Sequence, residues 1–70
     1  MFIKDKILLK YRTMVNFSKA IGMHNPNVYR ALKNPRKHIN DYVKIWEFLY
    51  KEKVIKREDF DHFLDEIFSN

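Results

Sequence analysis

The chain has 70 residues, of which 14 are Lys or Arg and 9 are Asp or Glu, so its formal net charge is +5. A domain of about this size buries only roughly 60% of the surface that its unfolded chain exposes, which leaves little room for a deep catalytic cleft, so we do not expect an enzyme. Hydrophobic residues make up 46% of the chain, which excludes a disordered tail, and the absence of Cys excludes disulfides and thiolate metal sites.

The first two predicted helices cover residues 2–11 and 14–21, and each shows apolar residues at helical spacing. Thr13 is the expected N-cap of the second helix, because its hydroxyl can accept a hydrogen bond from a free backbone N–H. Gly22, the only Gly, is expected to end this helix in a left-handed conformation. The residues expected to face the core are Ile3, Ile7, Leu8 and Tyr11 in the first helix, and Phe17, Ala20 and Ile21 in the second.

The third predicted helix begins with Asn25 as N-cap and Pro26 at the first helical position, where the missing N–H has no cost. It should end near Lys33, because Asn34 precedes Pro35 and is disfavoured in helical geometry. A basic loop over residues 35–38 is expected to follow. The apolar residues that should form the buried stripe of this helix are Val28, Ala31 and Leu32.

The last two predicted helices cover residues 39–51 and 57–68. Acidic residues crowd the first turn of the fifth helix, where the helix dipole favours anions. Together with the scarcity of Gly and Pro, the five segments predict an all-α fold in a single domain over residues 1–70. The apolar residues at helical spacing are Ile39, Val43, Trp46, Leu49 and Tyr50 in the fourth helix, and Phe60, Phe63, Leu64, Ile67 and Phe68 in the fifth.

Charge is distributed unevenly along the chain. Residues 1–38 contain nine basic residues and one acid, a net of +8, whereas residues 39–70 contain five basic residues and eight acids, a net of −3. A basic run is often only a solvated surface. Here it coincides with the turn glycine and the Asn-Pro helix start, so we expect a face that binds a polyanion and a second face with another role.

The segment FSKAIGMHNPNVYRAL, residues 17–32, resembles the helix-turn-helix of the lambda repressor and Cro family. That family places a small residue four positions before the turn glycine, where this chain has Ser18. It places aliphatic residues on either side of the glycine, here Ile21 and Met23, and a buried aliphatic six positions after it, here Val28. The resemblance implies a compact five-helix, lambda-repressor-like domain with a helix-turn-helix at helices 2 and 3.

The resemblance also implies a DNA-binding surface, with the helix at about residues 26–33 in the major groove of double-stranded DNA. Asn can pair with adenine and Arg with guanine there, whereas Pro26 can offer only apolar contact. The family usually carries a phosphate-binding Gln where this chain has Met14 and Val15, so other polar side chains would replace it. The expected base-reading residues are Asn25, Asn27, Tyr29 and Arg30, and the expected phosphate contacts are Thr13, Asn16, Lys19, Lys33, Arg36 and Lys37.

The fifth helix has more apolar surface than a terminal helix of so small a domain needs to bury, which indicates a protein interface. Proteins of this family often bind twofold sites as dimers, so a homodimer is expected for operator binding. The aromatic residues Trp46, Phe60, Phe63 and Phe68 are most economically explained as core, because a small domain needs large side chains to close its centre. The interface candidates are Phe60, Phe63, Leu64, Ile67 and Phe68.

Two functions remain open from the sequence. The first is a small sequence-specific transcriptional regulator of the phage Cro or repressor type. The second is a helix-turn-helix-fold module whose partner is a phage or host protein, such as a modulator that binds a repressor, an antitoxin or an anti-CRISPR inhibitor. With its three His residues far apart and no long apolar run, the chain is expected to need no cofactor or metal, to have no membrane partner and to be cytoplasmic.

Overall fold

The computed structural model describes residues 1–68, in which α-helices form the regular structure and no strand occurs. This confirms the predicted all-α class and all five predicted segments. The first three residues of the predicted fifth helix form a separate 3-10 turn, Arg57–Asp59. The α-helices are α1 (Phe2–Tyr11), α2 (Met14–Ile21), α3 (Asn25–Lys33), α4 (Ile39–Lys51) and α5 (Phe60–Phe68).

The helix boundaries follow from local chemistry. Thr13 caps α2 as predicted, with its Oγ1 accepting a hydrogen bond from the Asn16 backbone N–H at 3.0 Å. At the start of α3 the prediction is wrong by one residue: His24 is the N-cap and Asn25 is already helical, so Pro26 is the second residue of the helix. Asp59 accepts a hydrogen bond from the Lys56 backbone N–H at 2.8 Å and so caps the turn before α5.

The core in the first half of the chain forms around Ile3, Ile7 and Phe17. In α2, the prediction that Ala20 faces inward is wrong, because Ala20 is exposed. The buried face of this helix consists of Met14, Phe17 and Ser18. Leu8, Tyr11 and Ile21 pack against the core but remain partly exposed. The predicted stripe of α3 is confirmed, since Val28, Ala31 and Leu32 are all buried.

The buried face of α4 differs from the prediction. Trp46 and Leu49 are buried as expected, but Ile39 and Tyr50 are exposed and Val43 is half-buried. The other buried positions are Tyr42 and Ile45, which with Trp46 and Leu49 follow the i, i+3, i+4, i+7 spacing of one helix face. Apolar residues occur on several sides of α4, so periodicity alone allows more than one inward face.

The helix α5 packs on the domain with only part of its apolar surface. Phe63 lies 5.4 Å from Tyr42 and 5.3 Å from Trp46 between ring centroids, and Phe60 lies 5.5 Å from Trp46. In contrast, Leu64 and Phe68 are 51% and 70% exposed, so the interpretation of Phe68 as a core aromatic is wrong.

Two polar atoms are buried where α4 meets α5. The Tyr42 hydroxyl and the Trp46 indole N–H have no partner at hydrogen-bonding geometry within residues 1–68. Burial raises the pKa of Tyr42 to about 12, against a smaller opposing effect of Trp46, so the phenol stays neutral at physiological pH. Burial also raises the pKa of Glu66 on α5, and the nearby Asp65 raises it further. The chain's amino terminus, the Phe2 backbone and His62 each lower this pKa and so offset part of the rise.

Candidate nucleic-acid interface

The connection between α2 and α3 is a tight turn built on Gly22. Its φ of 76° and ψ of 28° place it in the left-handed region that favours Gly. The backbone N–H groups of Gly22 and Met23 both donate to the Ser18 carbonyl, at 2.9 and 3.1 Å. These bonds satisfy the last turn of α2 and reverse the chain direction within three residues, so α3 begins at a fixed angle to α2.

A partly buried hydrogen bond joins the two helices across this turn. The Ser18 hydroxyl lies 2.8 Å from the Met14 carbonyl oxygen and 2.8 Å from the Asn25 side-chain amide. The Asn25 atom facing Ser18 is Oδ1, and a hydroxyl carries one proton, so Ser18 donates to one of the two oxygens at a time. Both bonds form together if the Asn25 amide is flipped and its NH2 group donates to Ser18. Ser18 is buried and Asn25 half-buried, so this link fixes the start of α3 against the body of α2.

The structure therefore gives Asn25 a position different from that of the other expected base-reading residues. Its amide faces inward to Ser18, whereas Asn27, Tyr29 and Arg30 are exposed on the outer surface of α3. The expected exposure of Tyr29 is confirmed at 47%. Arg30 Nη1 donates to Asn27 Oδ1 at 3.2 Å, so the two side chains form one hydrogen-bonding group on this surface.

Two of the expected phosphate contacts lie at the corner between α1 and α2. Asn16 Nδ2 donates to the Tyr11 carbonyl at 3.0 Å, while the Asn16 backbone N–H donates to Thr13. Arg12, which lies between Tyr11 and Thr13, has a φ of 74°, a conformation that L residues rarely adopt. Thr13 and Asn16 are exposed, but each already makes a hydrogen bond that stabilises the corner.

The remaining expected phosphate contacts are cations. Lys33 is the last residue of α3, and Arg36 and Lys37 lie in the loop that follows, while Lys19 lies on α2. All four are exposed. The loop itself is held by Pro35, which is buried, and by the Asn34 side chain, whose oxygen accepts a hydrogen bond from the Lys37 backbone N–H at 3.4 Å. The structure thus places two cations just beyond the end of α3.

The electrostatic character of this region is uniform. Residues 6–40 contain eight Lys or Arg and no Asp or Glu, and they include all of α2, all of α3 and the following loop. A surface without any acid attracts polyanions and has no internal ion pairs that would reduce its positive potential. The positive charge and the exposed side chains of α3 therefore lie in one segment of the chain.

The described residues hold few features of other kinds of site. Among residues 1–68, no three His, Asp or Glu side chains are grouped as metal ligands. None of the helices in this part of the chain is long and apolar enough to cross a membrane. Of the expected interface residues, Phe60, Phe63 and Ile67 pack partly on the domain, and Leu64 and Phe68 are exposed.

No protein-family model matches this chain, and neither a curated protein nor a solved structure shows significant similarity to it.

Proposed function

We propose that this protein is a small sequence-specific DNA-binding transcriptional regulator, with α3 inserted into the major groove of double-stranded DNA. The observation that carries the proposal is the coincidence of an acid-free basic segment, residues 6–40, with a helix that a Gly turn and the Ser18 to Asn25 hydrogen bond hold against its neighbour. Fixed geometry is what base reading requires, and positive charge supplies phosphate affinity.

In this proposal the exposed face of α3 reads bases. Arg30 would donate to guanine and Asn27 would pair with adenine. The hydrogen bond between the two side chains holds them next to each other on the exposed surface of α3. Tyr29 would add apolar contact. Asn25 has an additional positional role, because its amide links α3 to α2 through Ser18.

The phosphate contacts in this proposal flank the base-reading face. Lys33, Arg36 and Lys37 would hold one DNA strand at the end of α3, and Lys19 would hold the backbone on the other side. Thr13 and Asn16 would contribute hydrogen bonds from the corner before α2. Such contacts make affinity fall steeply with salt concentration.

The direct test is fluorescence anisotropy of labelled duplexes, one of mixed sequence and one from the protein's own genetic neighbourhood, titrated at several salt concentrations. The proposal expects tighter binding to the neighbouring DNA, with affinity decreasing as salt increases. The double variant Arg36→Ala/Lys37→Ala should lower the slope of log K against log salt by about 1.8, because each lost phosphate contact contributes about 0.9.

A matched control is the double variant Lys44→Ala/Lys51→Ala, which removes the same charge from exposed positions on α4. Its salt slope should equal that of the wild type. Equal reductions of the salt slope in both double variants would show that net charge alone attracts the protein to DNA. Absence of any duplex binding near physiological salt would reject the proposed function.

We further propose that the regulator binds DNA as a homodimer, with the exposed Leu64 and Phe68 of α5 at the subunit contact. An operator with twofold symmetry requires two recognition helices about one DNA turn apart, and a second copy supplies the other helix. Sedimentation of the wild type and of Phe68→Ala tests this. A monomer at every concentration, both free and bound to DNA, would contradict the dimer.

A second candidate function is a protein-interaction module that uses the same fold to bind a repressor or another phage or host protein. Two observations favour it: the Asn25 amide is engaged with Ser18, and α5 exposes apolar side chains. The salt titration separates the candidates, since a module of this kind would show no preference among duplexes and no binding near physiological salt.

A further inference from the structure

The outer side of α3 is not an isolated surface, because the first turn of α1 lies beside it. Between the two helices is an open groove of about 510 Å³, lined by Met1, Lys4, Tyr29, Arg30, Leu32 and Lys33. Three of these residues are cationic and none is acidic. The Leu32 side chain lies at the floor, where it is buried, while Lys4, Arg30 and Lys33 are exposed.

The groove brings a residue from another helix to the base-reading face. Lys4 is 26 residues away from Arg30 in sequence, and the apolar pattern of α1 gives no sign that its N-terminal turn lies against α3. Only the packed structure shows that Lys4 lines the same groove as Arg30 and Lys33. The positive surface of the proposed DNA site is therefore continuous from α3 to α1.

We propose that this groove takes a phosphate of the duplex backbone, with Lys4 as the contact from α1; this inference rests on the proposed function. A helix in the major groove, which is about 12 Å wide, has a phosphate strand along each side. A cation on a neighbouring helix at the flank of α3 thus meets backbone, not base edges. Lys acts on phosphate as a point charge, without the bidentate geometry that base reading uses.

A second groove provides a matched comparison. It is formed by Tyr50, Lys51, Lys53, Ile55 and Lys56 and measures about 620 Å³, so it also combines an aromatic residue with several lysines. None of its lining residues belongs to α3. If any lysine-lined groove attracted phosphate equally, Lys51→Ala and Lys4→Ala would have the same effect on DNA binding.

The test measures DNA affinity against salt for wild type, Lys4→Ala, Lys4→Arg and Lys51→Ala, using the duplex that the wild type prefers. We expect Lys4→Ala to weaken binding several-fold and to reduce the salt slope by about 0.9, the value for one phosphate contact. Lys4→Arg should retain the wild-type slope, and Lys51→Ala should leave it unchanged. Lys4 is exposed and Ala favours helix, so the variant should fold.

A second measurement identifies the phosphate. In each of a series of duplexes, one backbone phosphate is replaced by a neutral methylphosphonate. Wild-type binding should be weaker for several of these duplexes, and Lys4→Ala should lose this sensitivity at one phosphate only. A Lys4→Ala slope equal to the wild type, with unchanged methylphosphonate sensitivity, overturns the inference. If Arg36→Ala/Lys37→Ala still lowers the slope in that case, the proposed function stands; if the wild type binds no duplex, both proposals fail.

Discussion

The segment of residues 6–40 and the helix pair α4 and α5 differ in the charge of their side chains. The first has eight basic residues and no acid, and it presents α3 on an exposed side. The second carries most of the acidic residues and supplies Trp46 and Tyr42, the two largest fully buried side chains. Residues of both regions belong to one hydrophobic core, so the same packing supports two surfaces that differ in charge.

The first way to sharpen this comparison is to remove the largest buried side chain. Trp46→Ala should destabilise the domain by about 3 to 5 kcal/mol, because it creates a cavity among Tyr42, Phe60 and Phe63. For a domain of this size such a loss approaches the whole free energy of unfolding. Urea unfolding followed by circular dichroism measures it.

Phe68→Ala is the control for this prediction, since Phe68 is 70% exposed. Its free energy of unfolding at low protein concentration should change by less than about 0.5 kcal/mol. Comparable losses in the two variants would mean that α5 is packed differently from the arrangement described above.

The second prediction concerns the basic segment. Arg30→Ala should cost about 1 to 3 kcal/mol in binding to the preferred duplex and should relax the choice of base at one position. Competition binding with a set of single-base operator variants measures both effects. Arg57→Ala, which removes an exposed Arg from the turn before α5, should change neither. An equal loss with both Arg variants would contradict the assignment of base reading to α3.

A third prediction compares two of the three positions with a positive φ, one in the basic segment and one after α4. Gly22 ends α2 at a φ of 76°, and Lys53 follows α4 at a φ of 62°. Gly22→Ala should destabilise by about 1 kcal/mol through backbone conformation alone, since a Cβ there meets no atom within 4 Å. Lys53→Gly should stabilise by about 0.5 kcal/mol.

Thermal unfolding of these two variants checks the signs. A stabilising Gly22→Ala would mean that the turn before α3 is not left-handed, and the fixed angle between α2 and α3 would lose its structural basis. A destabilising Lys53→Gly would assign a packing role to the Lys53 side chain.

The smallest effect is expected in the acidic region. Because the pKa of Glu66 is raised in the folded state, the fold holds this proton more tightly than the unfolded chain does. Ionisation therefore costs stability as pH rises from the ordinary value of 4.5 through the raised pKa, and the cost remains above it. Glu66→Gln should gain stability relative to wild type at pH 7 but not at pH 4.

Urea unfolding at the two pH values gives this difference between variant and wild type, so the titration of other carboxylates cancels. A gain that is equal at both pH values would show that the Glu66 charge does not affect stability, and a loss that appears only at pH 7 would show that the charge is stabilising.

The sequence predicts the helices better than their packing. Gly22 and Pro35 mark ends of helices, and local backbone chemistry is sufficient there. The inward face of α4 is determined by which helices pack on it, so Tyr42 and Ile45 are buried where periodicity favours Ile39 and Val43. For a helix that is apolar on several sides, the partner determines the buried face.

The candidate site shows the same limit. The residues of α3 follow from one local segment, and the exposure of Tyr29 could be predicted from its buried neighbours. The Ser18 to Asn25 bond was detectable in principle, since a small buried hydroxyl needs a partner and the two residues flank the turn. The position of Lys4 beside Arg30 depends on the packing of α1 on the domain, which no short motif encodes.

The central claim is that DNA contacts the acid-free segment and not the acidic region. The most direct test is nuclear magnetic resonance of the ¹⁵N-labelled protein during titration with the preferred duplex, after a concentration series without DNA has identified shifts due to self-association. We expect the largest amide shifts in α2, in α3 and in the loop after it. Shifts concentrated in α4 and α5, with α3 unchanged, would contradict the account.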